Sequence, residues 1–492
     1  MSAQLPALQI VVPLLAAPAC LLLRRATLAW LLSMLASGAA LVVAALLLGQ
    51  AMEAGPISYR LGGWPPPWGI AYRIDVVNAL VLLIVTTIAT VVLPFARTSI
   101  EREIPADRAA LFYTSYLLCL TGLLGITITG DAFNLFVFLE ISSLASYVLI
   151  SLSRDRRGLT SAFQYLVMGT IGATFILIGV GMLYMMTGTL NMADLAQRLS
   201  AVSDTRTVHT AFAFLVVGVG LKLALFPLHL WLPNAYTYAP SAVSAFLSAT
   251  ATKVAVYVLL RFIFTVFGVD FAFGMMPLTE ILVVLAVAAI LSMSTVAISQ
   301  NNVKRLLAYS SIAQVGYMVA GVSLATATGL TAAVLHLFNH ALMKGALFLA
   351  LGCVFYRIGS VRIEAMQGLA SRMPWTMAAF VVGGLSLIGV PLTAGFISKW
   401  YLVLAALEQG WWWLAAVVLV GSLLAVIYIW RVVEAAYFKQ PSEQAATASE
   451  APLSLLAPTW VLAAANVYFG LDTRLSLGAA GQAAAALLGG GR

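Results

Sequence analysis

Charge is what this sequence has least of. Only 9% of its 492 residues are Asp, Glu, Lys or Arg, while 62% are apolar. A soluble chain carries roughly a quarter charged residues, so the shortage excludes a water-soluble fold and leaves an integral membrane protein. Cysteine is also scarce: Cys20, Cys119 and Cys353 lie far apart in apolar surroundings, with no CxxC spacing. They read as small buried side chains and give no sign of a metal or iron–sulfur site. No Gly-rich nucleotide motif follows a strand. The sequence therefore implies no metal and no cofactor.

Apolar runs take the place of charge. A spanning helix needs about 20 mostly apolar residues, and about fourteen such runs follow one another, near 5–23, 26–49, 74–96, 108–128, 131–152, 160–186, 208–232, 237–266, 274–298, 303–323, 327–356, 375–404, 411–438 and 452–471. The fold class is an all-α polytopic membrane protein, with the lipid bilayer as its surroundings. The N-terminus reads as a first membrane helix and not a cleaved signal, because Arg24 and Arg25 follow its apolar core instead of preceding it.

The basic residues alternate between the two sides. Fifteen fall in loops after odd-numbered helices, among them Arg24, Arg154, Arg156, Arg157, Lys304 and Arg305. Seven fall after even-numbered helices or in the C-terminal tail, among them Arg261, Arg474 and Arg492. The positive-inside rule makes the odd loops cytoplasmic, so both termini are expected on the outer side. Topology accounts for most of the net charge of +8, and no nucleic acid is needed to explain it.

Four basic residues remain, and all are lysines inside helices: Lys222, Lys253, Lys344 and Lys399. The chain has only six lysines against twenty arginines, and the arginines stay in loops or near helix ends. An arginine keeps its charge in essentially any protein setting, whereas a buried lysine can release its proton. Four central lysines would cost on the order of 10 kcal/mol on the insertion scale, too much to carry without a use.

Lys222 lies in the middle of the seventh run, "VGLKLALFPLHLWLP", with Pro227 and His229 just beyond it. Proline removes a backbone donor and clashes with the preceding turn, so this helix should open near Pro227. Broken helices are tolerated at membrane depth where protein covers them or a cavity adjoins them. The twelfth run, "GVPLTAGFISKW", repeats the device with Pro391 and Lys399. The repetition predicts two inverted five-helix repeats, helices 4–8 and 9–13. The corresponding units are 1–107 for the first three helices, 108–267 and 268–440 for the repeats, and 441–492 for a linker and last helix.

Glu140, in "DAFNLFVFLEISSLASYVLI", is the clearest carboxylate deep inside a run. It should be protonated or paired, and Lys222 is the expected partner. Asp131 reads as the cap of the fifth helix. In "HLFNHALMKGALFLALG", His336, His340 and Lys344 recur at i, i+4 and i+8 on one helix face, a spacing suited to proton relay through water. Haem ligation fits poorly, since both axial ligands would come from one face. Lys253, in "SATATKVAVYVLL", is expected between Lys222 and this row.

"GDAFNLFVFLE", "GLKLALFPLHLWLPNAYTYAPSAVSA", "NNVKRLLAYSSIAQVGYM", "HLFNHALMKGALFLALG" and "PLTAGFISKW" together resemble the antiporter-like subunits shared by respiratory complex I and Mrp-type multi-subunit cation/proton antiporters. "RIDVVNAL", "TGTLNMADLAQRL" and the compact C-terminus are most similar to the Mrp D subunit. The resemblance implies a mid-membrane proton path over Glu140, Lys222, Lys253, His336, Lys344 and Lys399, with His229 and His340 as auxiliaries. Some relatives have histidine where this chain has Gln314, which is not counted as a proton carrier. The resemblance also implies a bacterial inner membrane location and other membrane subunits as partners, including a larger antiporter-like one. Protons would be the cargo here, with sodium moving through the complex. The same motifs fit a proton-pumping subunit of a redox complex, such as a complex I relative or membrane hydrogenase.

Overall fold

The computed structural model describes residues 4–23 and 25–489. Arg24 and Arg492, counted above, lie outside the described residues. Helices α1 (Leu5–Leu23) and α2 (Ala26–Ala54) lead into an antiparallel hairpin of β1 (Ile57–Arg60) and β2 (Ala71–Ile74), with Ile57 opposite Ile74. Asp75 follows β2 and caps α3 (Val76–Glu103): its carboxylate accepts from the Val77 and Asn78 amides at 3.0 and 3.2 Å, and its own amide donates to Asn78 Oδ1 at 2.8 Å.

Helices α4 (Ala109–Ile128), α5 (Ala132–Ser151) and α6 (Arg156–Thr187) come next, followed by a short α7 (Met192–Leu199). Asp131 caps α5 as expected, accepting from the Asn134 amide at 2.7 Å. Helix α8 (Arg206–Leu223), a short α9 (Leu232–Tyr238) and α10 (Ser241–Leu260) follow, and α10 continues into a wider turn over Arg261–Phe267. The ninth crossing joins α11 (Leu278–Ala288) to α12 (Ser294–Ile298), and α13 (Val303–Ser323) and α14 (Ala327–Ile358) come after it. The chain ends with α15 (Pro374–Ile388), α16 (Ala394–Glu408), α17 (Trp412–Phe438), α18 (Glu443–Ala446), α19 (Leu453–Leu471) and α20 (Arg474–Gly489).

Among the described residues, thirteen helices are long and apolar enough to cross a membrane. The remaining expected crossing is divided between α15 and α16, 15 residues each and too short to span alone. Helices α10 and α13 are the most enclosed, with 94% of their apolar windows buried, against 39% for α1, α6 and α17. Outward-facing Leu22, Phe163, Met185 and Leu423 give the periphery the apolar surface a bilayer covers.

Both expected breaks are present, but each begins before its proline. Helix α8 stops at Leu223, where Ala224 takes φ +58° and the Leu225 amide bonds the Gly220 carbonyl at 2.9 Å. Helix α15 stops at Ile388, where Gly389 takes φ +90° and the Val390 amide bonds the Leu385 carbonyl at 3.0 Å. Each is a left-handed C-terminal closure with a six-to-one hydrogen bond. Proline excludes helical backbone just before it and clashes one turn back, so Pro227 and Pro391 lie in the connecting segments and kink no continuing helix. The expected runs 208–232 and 237–266 are corrected accordingly: residues 225–231 turn, and α10 starts at Ser241.

The sequence reading missed α20. Its stretch "RLSLGAAGQAAAALLG" is rich in Ala and Gly and lacks the long apolar run that marks a span. Both described ends lie near the β1–β2 hairpin. The Tyr59 hydroxyl donates to Gln4 Oε1 at 2.7 Å, and Leu487 and Leu488 line a pocket with Arg73 and residues 264–270.

Candidate functional site

Lys222 sits in the last turn of α8, buried, and its ammonium donates to Ser143 Oγ at 2.8 Å. Glu140 Oε1 is 3.7 Å from Lys222 Nζ, so the expected pair forms across α5 and α8. Glu140 is less deep than expected: its side chain is 28% exposed and shares α5's outward stripe with Phe133, Val137, Leu144 and Val148. Spacing along a helix gives depth in the membrane, whereas the direction a residue faces depends on its neighbours.

His229 is buried and stacks on Phe226, with ring centroids 5.4 Å apart, and its Nδ1 has no hydrogen-bond partner among the described residues. Trp231 reaches the broken helix, its indole donating to the Leu221 carbonyl at 2.9 Å while its ring stacks on Tyr165 at 3.9 Å. Helix ends leave carbonyls unpaired, and here an indole covers one.

Beside Lys222 lies a cavity of about 40 Å³, walled by Ser142, Ser143 and Ser146 on one side and by Ala251, Val254, Ala255 and Val258 of α10 on the other. It exceeds the roughly 10–15 Å³ that one water needs and has polar partners for it. At 3.6 residues per turn, Lys253 lies on nearly the opposite side of α10 from that wall. Helix α10 therefore stands between the first two lysines. Fully buried, Lys253 donates to the Ser248 carbonyl and lies 3.4 Å from Thr252 Oγ1.

Helices α10 and α14 run in opposite directions and meet at Ser241 and Gly352, where a Cβ on the glycine would stand 2.9 Å from Ser241 Cβ. Twelve residues along each helix, about 18 Å from that contact, come Lys253 and His340, which therefore share a depth. Neither ring nitrogen of His340 has a hydrogen-bond partner among the described residues. Its ring lies nearly parallel to that of His336, with centroids 6.0 Å apart. His336 bonds Gln314 Oε1 through Nε2 and Ser398 Oγ through Nδ1, both at 2.9 Å. An amide oxygen can only accept, so Nε2 carries a proton toward Gln314. Lys344 donates to the Leu307 carbonyl at 2.7 Å and to Ser310 Oγ.

Lys399, on α16, covers the end of α15. Its ammonium donates to the Leu387 and Ile388 carbonyls at 3.0 and 2.9 Å and to Ser422 Oγ at 3.0 Å, and it lies 4.7 Å from the Tyr317 ring centre. Its neighbour Ser398 carries the bond to His336, so the second break joins the α14 row directly.

Two buried basic groups, each with a buried acidic residue close by, escaped the sequence reading. Lys304 was expected in a loop but is buried in the first turn of α13, donating to the Ala239 carbonyl at 3.2 Å. Across Pro240, Glu103 accepts from the Ser241 amide and hydroxyl at 2.8 and 3.0 Å, so the pair grips the α9–α10 corner. Arg261 was also placed in a loop but is buried against Asp75, 2.5 Å away, and Tyr257. One signal was available for each: Asn302, a capping residue just ahead of Lys304, and the apolar run "VYVLLRFIFTVF" around Arg261.

A helical membrane body, broken at two matched places and threaded by enclosed lysines and histidines, is the build of an antiporter-like subunit. Residues 129–425 match the family described as "NADH:quinone oxidoreductase/Mrp antiporter, TM", and the chain belongs to this family. It is 44% identical over 491 residues to the N subunit of the NADH-quinone oxidoreductase of Desulforudis audaxviator, covering 96% of each chain. It is 32% identical to the D subunit of the Na(+)/H(+) antiporter of Alkalihalophilus pseudofirmus, over 87% of this chain and 86% of that one. Among solved structures, a chain of the Mrp complex from Dietzia sp. DQ12-45-1b superposes with a TM-score of 0.91 at 27% identity, covering 99% of this chain and 97% of that one.

Proposed function

We propose that this chain is the proton-carrying subunit of a multi-subunit monovalent cation/proton antiporter of the Mrp type. Protons pass from the Glu140–Lys222 pair around α10 to Lys253, then to His340 and Lys344, and by His336 to Lys399. The observation that carries this reading is the enclosed row of lysines with the unpartnered His340 among them. A group with no fixed protein partner is free to exchange protons with water. Residues 108–267 and 268–440 form the two inverted repeats, a division supported by the matching closures at Ala224 and Gly389.

Sodium prefers several oxygen ligands, as hard cations do, and this row offers nitrogen bases with one carboxylate at its edge. Any sodium path therefore lies largely in partner subunits, including a larger antiporter-like one. The excess of basic residues in the odd loops puts both termini on the outer side of a bacterial inner membrane.

Vesicles containing the whole complex test the reading. Cation-driven proton movement that survives intact in Lys222→Ala or Glu140→Ala would sink it.

A second reading is favoured by the 44% identical NADH-quinone oxidoreductase relative. It makes the same proton row part of a redox-driven complex, with the electron-carrying centres in other subunits. The proteins that purify with the chain discriminate: quinone-reductase or hydrogenase subunits support the redox complex, and further antiporter subunits without them support the Mrp reading.

A further inference from the structure

A second cavity, of about 320 Å³, lies under the β1–β2 hairpin. Exposed Ser58 and Arg73 line its mouth, and buried Tyr257 and Arg261 line its floor. Lys253, Tyr257 and Arg261 stand at i, i+4 and i+8 of one helical stretch, so they follow one face over about 12 Å. The Tyr257 hydroxyl donates to the Thr127 carbonyl at 2.8 Å and accepts from Arg261 Nε at 3.0 Å. Arg261 is held in turn by Asp75, the residue that ends the hairpin and starts α3. The floor of this cavity is thus one helical turn from a lysine of the proposed row.

We propose that this cavity is a proton port connecting Lys253 with the hairpin face, with Tyr257 as the relay and the Asp75–Arg261 ion pair as the wall of its neck. The inference rests on the reading of the lysine row as a proton path. A hydroxyl both donates and accepts. Tyr257 turns from the Thr127 carbonyl toward water in the cavity and gives up its proton there as it takes one from the Lys253 ammonium. Tyr257 stays neutral, Lys253 becomes the free amine, and one proton has moved. The Lys253 ammonium is turned toward Ser248 in this structure, so delivery follows rotation of its four-carbon stem or passage over a bridging water. Asp75 neutralises Arg261, whose unpaired guanidinium would otherwise repel a proton at the neck.

The test uses the complete complex reconstituted in proteoliposomes of known orientation. Tyr257→Phe removes the relay hydroxyl together with its bonds to Thr127 and Arg261, and should slow proton movement about 100-fold or more, the scale of lost proton-transfer catalysis. Thr265→Cys puts a thiol on the cavity wall, in a chain whose described native cysteines are all buried. A membrane-impermeant thiol reagent applied to the hairpin face of this variant should block transport, and the same reagent on the opposite face should not. The labelling decides the matter even if Tyr257→Phe assembles poorly. Lys253→Ala serves as the control for the row. If Lys253→Ala stops transport while Tyr257→Phe and labelled Thr265→Cys both run at the normal rate, the port is overturned and the row stands. If Lys253→Ala also runs at the normal rate, the proton path itself is wrong.

Discussion

Lys399 donates from α16 to the carbonyl of Leu387 at the end of α15, 3.0 Å away. One ammonium thus does two jobs: it covers the open end of a broken helix and stands at the far end of the proposed proton row. The arrangement separates charge from proton exchange. An arginine at 399 keeps a donor for the α15 carbonyls but does not release its proton. Lys399→Arg should therefore assemble with its partners and fail to move protons, whereas Lys399→Met should impair both. Native gels of the purified complex and proton uptake in vesicles read the two effects.

Among the described residues, His340 has no hydrogen-bond partner on either ring nitrogen. Replacing it with leucine removes no protein hydrogen bond, so stability should change by no more than about 1 kcal/mol, the usual worth of one such bond. Proton movement should still fall sharply. Thermal unfolding of the detergent-solubilised complex checks the first expectation, and vesicle transport the second. A large loss of stability with normal transport would mark the residue as packing.

Glu140 lies 3.7 Å from Lys222 on a stripe that lipid or a neighbouring chain must cover. Glu140→Gln keeps the shape and removes the charge. It should lower the transport rate about tenfold, equivalent to about 1.4 kcal/mol on the barrier, and Glu140→Asp should lose less. Adding Glu140→Gln to Lys222→Met should cost little beyond the lysine change alone, because the two act as a unit. Additive losses in that cycle would count against the pairing.

Gly395 packs against the end of α15 so closely that an added Cβ would lie 1.8 Å from the Ser386 carbonyl oxygen. Gly395→Ala must push the two halves of the broken crossing apart, at about 1–3 kcal/mol for overpacking. The variant should show reduced yield and a lowered unfolding temperature. Gly389 tests the same break through the backbone. At φ +90° it meets the Lys399 side chain, so alanine there adds left-handed strain.

The sequence by itself determined the membrane class, the count of crossings and four of the enclosed lysines, Lys222, Lys253, Lys344 and Lys399. Composition and run length answer directly to the bilayer, which tolerates neither charge nor unpaired backbone. The two prolines marked the breaks to within a few residues, because proline acts on the turn just before it. Tertiary structure decided which way each group faces. Glu140 looked central along its helix and lies on an outward stripe; Lys253 was expected between Lys222 and the α14 row, and the body of α10 separates it from Lys222. Lys304 and Arg261 looked like loop residues and are buried, because Ala239 accepts from one and Asp75, 186 positions earlier in the chain, pairs with the other. A charge is held inside by partners distant in sequence, and no local pattern records them.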